Sequence, residues 1–333
     1  MKTASSSSSS HTFPVTASLC TPYLLLVPLG LLAVVLVIPS LGSSHVRSDG
    51  LGVLCRADAG GYLVAPGGGG DVTAAVAETK AVAQPKPELR LLVGVLTTPK
   101  RYERRNIVRL AYALQPAPTP ANVARVDVRF VFCRVTDPVD AQLVAVEAAH
   151  HGDIIVLNCT ENMNDGKTHE YLSSVPRLFA SDPYDYVMKT DDDTYLRVVA
   201  LVDELRSKPR DDVYLGYGFA VGDDPMQFMH GMGYVVSWDV AEWVSANEDI
   251  LRYNDTHGPE DLLVGKWLNI GRRGKNRYSL RPRMYDLNWD MDNFRPDTVV
   301  VHMLKDNRRW AATFRYFNVT AGLQPSNLYH LAP

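Results

Sequence analysis

Asp185-Tyr186-Val187-Met188-Lys189-Thr190-Asp191-Asp192-Asp193-Thr194-Tyr195 is the stretch whose reading decides the fold. Tyr186, Val187 and Met188 read as a short buried strand, set off by the turn residues Asp182-Pro183. Three carboxylates follow without a break. Adjacent acids repel one another, so at the end of an apolar strand they call for a counter-charge. A divalent cation supplies one, because Mg²⁺ and Mn²⁺ accept carboxylate oxygens, water and phosphates together. On this reading Asp193, helped by Asp191 or Asp192, holds a metal that in turn holds a diphosphate. The plainer alternative is a solvated acidic turn that caps the next helix. Position favours the first, since open α/β sheets bind ligands beyond the ends of their strands. Two other acidic motifs fail on spacing. A phosphatase-type Asp-x-Asp-x-Thr needs Thr where Tyr195 stands. A calcium loop needs Gly and Glu where Leu196 and Val202 stand.

Upstream of the acids, strands alternate with helices, which predicts a mostly parallel sheet with right-handed crossovers. Leu91–Leu96, Val126–Cys133 and Ile154–Leu157 read as strands. Arg101–Ala113 reads as a helix with Ile107, Leu110 and Ala111 at helical spacing, and with Arg104, Arg105 and Arg109 interleaved. Val139–His150 reads as a helix that turns Leu143, Val146 and Ala149 inward, and Tyr171–Ala180 as another. Downstream, Val198–Arg206 suits a helix, Val213–Tyr217 a strand and Asp239–Asn247 a helix. Gly231 and Gly233 suit a sharp turn or a close approach of backbone to a ligand, before a strand carrying Tyr234, Val235 and Val236.

Two further sites carry chemistry. Pro259 suits a helix start, and Glu260 and Asp261 suit its first turn whatever their role. The functional reading makes one of them a general base, since a partly buried carboxylate can take the proton of an alcohol as its O–H bond breaks. The β-branched run Thr298–Val301 reads as a strand that delivers His302 to its end, so that His302 and the acidic triplet converge on one edge of the sheet. Imidazole beside carboxylate suits Mn²⁺ better than Mg²⁺. Lys305 is near enough in sequence to meet phosphate. Trp310, Phe314 and Tyr316 read as core rather than as a sugar platform.

The N-terminal quarter has a different texture. Residues 1–20 are Ser-rich and read as a cytoplasmic tail. Residues 21–40 are almost wholly apolar and approach the ~20 residues of a bilayer span, which predicts an uncleaved signal-anchor helix. Gly42-Ser43-Ser44 keeps cleavage open, and a buried core helix is the other alternative. Residues 41–88, with Gly67–Gly70 and Pro85-Lys86-Pro87, read as a flexible stem. The sequons at Asn158, Asn254 and Asn318, taken with the apolar segment, point to the secretory pathway and a glycoprotein. Four cysteines are too few for a disulfide scaffold; Cys133 and Cys159 meet only if their strands are neighbours. No Cys-x-x-Cys or His cluster accompanies them, which argues against zinc. A net charge of −3 gives no sign of a nucleic-acid partner.

In their order, five stretches resemble the family-31 glycosyltransferases, the β-1,3-galactosyltransferase and N-acetylglucosaminyltransferase group, and most closely its plant members. They are Glu103–Arg109, Lys189–Tyr195, Gly231–Ser237, Glu260–Gly265 and Val301-His302. The likeness covers about residues 89 to 310. It implies a GT-A fold, a nucleotide-sugar-binding α/β domain over residues 89–333 with the acceptor site in its C-terminal half. It implies an inverting, Mn²⁺-dependent transfer of galactose or N-acetylglucosamine from a UDP-sugar to a hydroxyl of a glycan or glycoprotein acceptor, with a β-1,3 linkage. The setting implied is the Golgi membrane, single-pass, with the catalytic domain in the lumen. By position, Asp193 and His302 would hold the metal. Asp191 and Asp192 would lie near the uridine and ribose. Asp261 would be the base with Glu260 beside it, and Arg104, Arg105 or Arg109 would touch the nucleotide. The chain departs from the family pattern at Tyr112, where Trp is frequent, and over Asp224–Met229, where Tyr-Pro pairs are frequent. Those departures bear on the acceptor pocket, not on the metal site. A non-catalytic Golgi glycan-binding or scaffold protein on the same fold is the main alternative, which release of UDP in the presence of acceptor would exclude. A metal-free secreted hydrolase is a third, which insensitivity to chelators would favour.

Overall fold

A computed structural model of the chain describes residues 88–116, 123–221, 224–252, 256–289, 292–321 and 323, all within the unit Gly61–Pro333. The tail, the signal-anchor at 21–40, nearly all of the stem and the sequon at Asn254 lie outside the described residues. Among the described residues, no helix is long and apolar enough to cross a membrane.

The strand β1, Leu89–Leu96, is buried along its whole length, as expected of a mostly apolar run with layers on both faces. Side chains alternate across it. Leu91, Val93 and Val95 enter one hydrophobic cluster, and Leu92 and Leu96 the other. Gly94 breaks the run for a steric reason: a Cβ there would lie 2.2 Å from Cζ of Tyr171. The Tyr171 hydroxyl crosses that gap to donate to Met188 O at 3.1 Å.

Around β1, the strands β2 (Ala124–Cys133), β3 (Ile154–Leu157), β4 (Tyr186–Asp191), β6 (Val213–Val221), β7 (Asp224–Ser237) and β8 (Asn276–Ser279) form one sheet. Its order is β3-β2-β1-β4-β7-β6-β8. The first four strands are parallel; β7 runs antiparallel to both β4 and β6, and β8 is parallel to β6. The mostly parallel α/β sheet expected from the sequence is therefore present. The helices α1 (Tyr102–Ala113), α2 (Pro138–His151) and α3 (Lys167–Leu178) make the crossovers between parallel strands. α4 (Val198–Arg206), α5 (Trp238–Ala246), α6 (Glu248–Arg252), α7 (Glu260–Gly271) and α8 (Asn307–Tyr316) complete the fold. Cys133 and Cys159 are joined in a disulfide, which the pairing of Cys133 with Leu157 on the neighbouring strand makes reachable.

Several expectations change. His302 is not on the main sheet. It ends β10 (Val300–His302), in a separate small sheet of order β5-β10-β9 with β5 (Tyr195–Leu196) and β9 (Met284–Asp286). Gly231 and Gly233 form no turn; both lie inside the 14-residue strand β7. Helix α1 buries Arg105, Val108 and Ala111 and leaves Leu110 exposed. Helix α2 buries Asp140 and Val144, whereas Leu143 (49%) and Val146 (60%) face out and Ala149 is exposed. One cause turns both helices. Arg105 is fully buried, and its guanidinium donates to Glu147 of α2 at 2.8 and 2.6 Å. A buried charge left without its partner costs about 3–5 kcal/mol, more than the roughly 1.5–3 kcal/mol of leaving two aliphatic side chains half in solvent. The ion pair therefore sets the rotation of α2. Of the three aromatics expected in the core, Trp310 is buried and Phe314 packs against the core, but Tyr316 is exposed.

Candidate active site

The acidic turn leaves β4 at Asp191 and is pinned from below. Thr190 and Thr194 both donate hydroxyl hydrogen bonds to Met232 O of β7, at 2.8 and 3.2 Å. From above, the segment after β10 closes on it, with Leu304 N donating to Asp193 O at 2.9 Å. The bend that allows this puts Met303 at φ 66°, a conformation that costs a non-glycine residue of order 1–3 kcal/mol and is held by its surroundings. The small sheet thus brings His302 to the acids although it is not part of the large one.

The three acids have three environments. Asp192 turns into the protein, where its carboxylate accepts from the Thr97 hydroxyl at 2.6 Å and from Arg101 at 2.8 Å. Burial pushes its carboxyl up, against the pull of those donors. Asp193 is also buried, but His302 and Lys305 outweigh burial and hold it well below the usual carboxylate range. Lys305 Nζ lies 2.7 Å from Asp193 Oδ2, on a side chain that is otherwise largely in solvent. Asp191 is a quarter exposed, with Oδ1 2.9 Å from Lys189 Nζ.

Asp191, Asp193 and His302 present ligand atoms within 4.8 Å of one another. His302 Nε2 lies 3.2 Å from Asp193 Oδ1 and 3.7 Å from Asp191 Oδ2. It is buried and makes no hydrogen bond, an arrangement that is costly unless something fills it. Burial alone would lower the imidazole pKa, yet the surrounding carboxylates raise it to about 9, so the pocket selects for positive charge. Two carboxylates and one imidazole suit a borderline divalent ion such as Mn²⁺. The residues present therefore fit a divalent cation.

A second group lies beside the first. Lys189, fully buried, directs Nζ to Asp191 Oδ1, to Gly231 O at 2.6 Å and to Glu260 Oε1 at 2.5 Å. Burial alone would favour the neutral amine, but Asp191 and Glu260 outweigh it and keep the charge on. Glu260 is saturated inside the protein: Tyr234 and Thr168 donate hydroxyls to Oε2 at 2.7 and 3.2 Å, and burial raises its pKa. Asp261, the next residue, is half-buried. Its Oδ2 accepts from Gly231 N at 3.0 Å and its Oδ1 from Leu262 N at 2.8 Å. Gly231 is the hinge between these groups, since a Cβ there would lie 3.0 Å from Glu260 Oε1 and 3.5 Å from Asp261 Oδ2. Asp191, Lys189, Gly231 and Asp261 thus form one connected chain of contacts. The cation pocket and the half-buried carboxylate border the same region.

The basic helix is differently employed. Arg104 donates to Leu304 O and Lys305 O at 2.6 and 2.9 Å, so it braces the segment that closes over Asp193. Arg105 binds Glu147 and the carbonyls of Thr98 and Pro99. Arg109 binds Asp153, Glu147 and Asn106. Those contacts orient Arg105 and Arg109 toward α2 and the loop after β1 rather than toward the acidic turn.

Sequence reasoning missed Asp286 and His230 and gave Lys189 no role. Asp286 Oδ1 lies 2.6 Å from His302 Nδ1, and His230 approaches from β7 with its ring 6.2 Å from that of His302. A lone Asp in a three-residue strand carries no local signal. Lys189 did carry one, being a charge inside an otherwise apolar strand.

A family model described as Galactosyltransferase matches residues 103–224. Mouse beta-1,3-galactosyltransferase 6 is 26% identical over 208 residues, 56% of this chain and 62% of that protein. The beta-1,3-galactosyltransferase pvg3 of Schizosaccharomyces pombe is 24% identical over 289 residues, 68% of this chain and 74% of its own. The hydroxyproline O-galactosyltransferase GALT2 of Arabidopsis thaliana is 24% identical over 244 residues, 64% of this chain but only 32% of that protein. Among solved structures, the galactosyltransferase LgtC in complex with donor and acceptor sugar analogs aligns at 14% identity, over 72% of this chain and 97% of that one, with a TM-score of 0.40. Mouse xyloside xylosyltransferase 1 aligns at 9% identity, over 64% and 97%, with a TM-score of 0.39. The chain spans just over 60% of the length of the mouse relative. The matched stretch contains the acidic turn and ends before Glu260, Asp286 and His302. The stretch that matches the galactosyltransferase model therefore includes the acidic turn.

Proposed function

We propose that this chain is an inverting, metal-dependent hexosyltransferase on a GT-A type fold. It moves galactose, or N-acetylglucosamine, from a UDP-sugar to a hydroxyl of a glycan acceptor and forms a β-1,3 linkage. The observation that carries this reading is the juxtaposition just described: a three-ligand cation pocket and a half-buried carboxylate on either side of Lys189. The relatives named for β-1,3-galactosyl transfer support galactose as the sugar moved and a β-1,3 linkage.

Asp191, Asp193 and His302 would hold the metal, whose chemistry when bound is to neutralise the charge that develops on the departing diphosphate. Lys305 adds a mobile positive charge at the same place. Asp261 takes the proton of the acceptor hydroxyl as that oxygen attacks C1 from the face opposite the diphosphate. The C1–O bond to UDP breaks, its electrons leave with the diphosphate, and one displacement inverts the anomeric centre. Glu260 does not meet substrate in this scheme. Its two oxygens fix Lys189, Tyr234 and Thr168, and so set the distance between the cation pocket and Asp261.

A screen of UDP-sugars for Mn²⁺-dependent release of UDP, with and without glycan acceptors, tests the reading. The expected result is acceptor-dependent release from UDP-galactose or UDP-N-acetylglucosamine that a chelator abolishes. Turnover that survives chelation, or no release with any donor, overturns it. We propose also that residues 21–40 anchor the chain in the Golgi membrane with the catalytic domain in the lumen. The disulfide supports an oxidising compartment. Protease accessibility of the domain in sealed Golgi vesicles would refute that placement.

A further inference from the structure

The cation pocket has a rear wall. β9 runs parallel to β10 with Asp286 and His302 as register partners, and Leu287 N donates to His302 O at 3.2 Å just beyond them. The two side chains therefore meet by strand pairing, not by chance of loop geometry. His302 Nδ1 and Asp286 Oδ1 are 2.6 Å apart, with both side chains about nine-tenths buried. A carboxylate oxygen offers only lone pairs, so the proton of this contact belongs to Nδ1. That assignment keeps Nδ1 protonated whether or not the other nitrogen carries a proton. Nε2 is the atom that faces Asp191 and Asp193 and has no hydrogen bond of its own.

We infer that Asp286 is a positioning residue for the cation site: its carboxylate accepts the Nδ1–H of His302, locks the ring, and keeps Nε2 aimed at Asp191 and Asp193, so that an entering cation displaces the proton of Nε2 and not that of Nδ1. The inference rests on the metal reading given above and adds to it a residue in a stretch that sequence reasoning left without a role. An alternative use of the same atoms is a second cation held by His230, Asp286 and His302, whose ligand atoms also cluster within 4.8 Å. Chemistry disfavours it. A cation at Nδ1 would displace the proton shared with Asp286, and one imidazole would then bridge two cations through both nitrogens. His230 instead closes the side of the pocket, with its ring tilted 64° to that of His302. A carboxylate behind a ligating histidine commonly sharpens metal affinity, and its removal typically weakens binding by about 10–100-fold.

The test is a Mn²⁺ titration of the full-length chain followed by electron paramagnetic resonance, which counts bound ions and gives their affinity without any turnover. The wild-type chain is expected to bind one ion. Asp286→Ala should weaken it by about 10–100-fold, and Asp286→Asn, which keeps an oxygen acceptor, by less. A merely structural role would not grade affinity in that order at constant stoichiometry. Because Asp286 is buried and the alanine variant can fail to fold, a second measurement uses the wild-type chain alone. With ¹⁵N-labelled histidine, the His302 ring should keep its Nδ1 proton throughout, while Nε2 loses its own proton and shifts when diamagnetic Zn²⁺ is added. Equal affinity in all three proteins, a ring that gives up its Nδ1 proton to Zn²⁺ while keeping Nε2–H, or two ions in the wild type falling to one in the variants would each overturn the inference. A wild-type chain that binds no Mn²⁺ overturns the metal reading itself, and this inference with it.

Discussion

Two runs of adjacent acids, Asp191–Asp193 and Glu260-Asp261, meet across Lys189 and are treated alike by the fold. In each run one carboxylate is turned inward and saturated, and a neighbour is left to face the cleft. Asp192 is bound by Thr97 and Arg101, while Asp191 and Asp193 face His302. Glu260 is bound by Lys189, Tyr234 and Thr168, while Asp261 accepts from two backbone amides. The difference lies in charge. The first run faces a site that selects for a cation. The second leaves a single half-buried carboxylate beside an amide, suited to accept a proton. Adjacency in sequence therefore says that a site is acidic; the partners of each oxygen say what the acid does.

Four measurements would break or sharpen that contrast. Asp193→Ala and Asp261→Asn should both lower turnover, by about 10³-fold and about 10²–10⁴-fold respectively. Only the first should also lose metal-dependent UDP binding in a binding titration; loss of UDP binding in both would merge the two runs into one role. Next, Lys189→Met leaves Asp191 and Glu260 facing one another without their shared cation. Breaking a buried pair in this way costs about 3–5 kcal/mol, to be read as a lower denaturation midpoint in urea. A loss of under 1 kcal/mol would show that Lys189 does not couple the runs. Third, Mn²⁺ at about 100 times its dissociation constant should stabilise the wild type by about 2.7 kcal/mol. The same thermal-shift gain should persist in Asp261→Asn and vanish in Asp193→Ala. The smallest effect is expected from Arg101→Ala. Its guanidinium is half in solvent and the Thr97 hydroxyl still holds the buried Asp192 carboxylate, so the loss should be about 0–1 kcal/mol with turnover changed by less than tenfold. A larger loss of turnover would bring Asp192 into the reacting site.

Much of this was legible in the chain. The apolar runs marked β1 and β3, and the helix at Val198–Arg206 matches α4 residue for residue. Asp191 ends β4 with Asp192 and Asp193 just beyond it, and Glu260 opens α7 after Pro259, as the local signals say. What failed was facing and partnership. Leu143 and Val146 have the spacing of a buried stripe, but the Arg105–Glu147 pair turns that stripe outward. A β-branched run looks the same in any sheet, so Thr298–Val301 does not reveal which sheet receives His302. Asp286 had no local signal, since its role comes from a register with β10 that joins residues 16 apart in sequence.

The sequence by itself determined where the strands end and which residues stand at those ends, because burial of apolar runs and the conformational limits of Pro and Gly act over a few residues. Only the tertiary structure decided which oxygen meets which nitrogen. Those choices depend on pairings between distant strands and on the cost of leaving a buried charge alone. Both are properties of the assembled molecule, and no single stretch of it contains them.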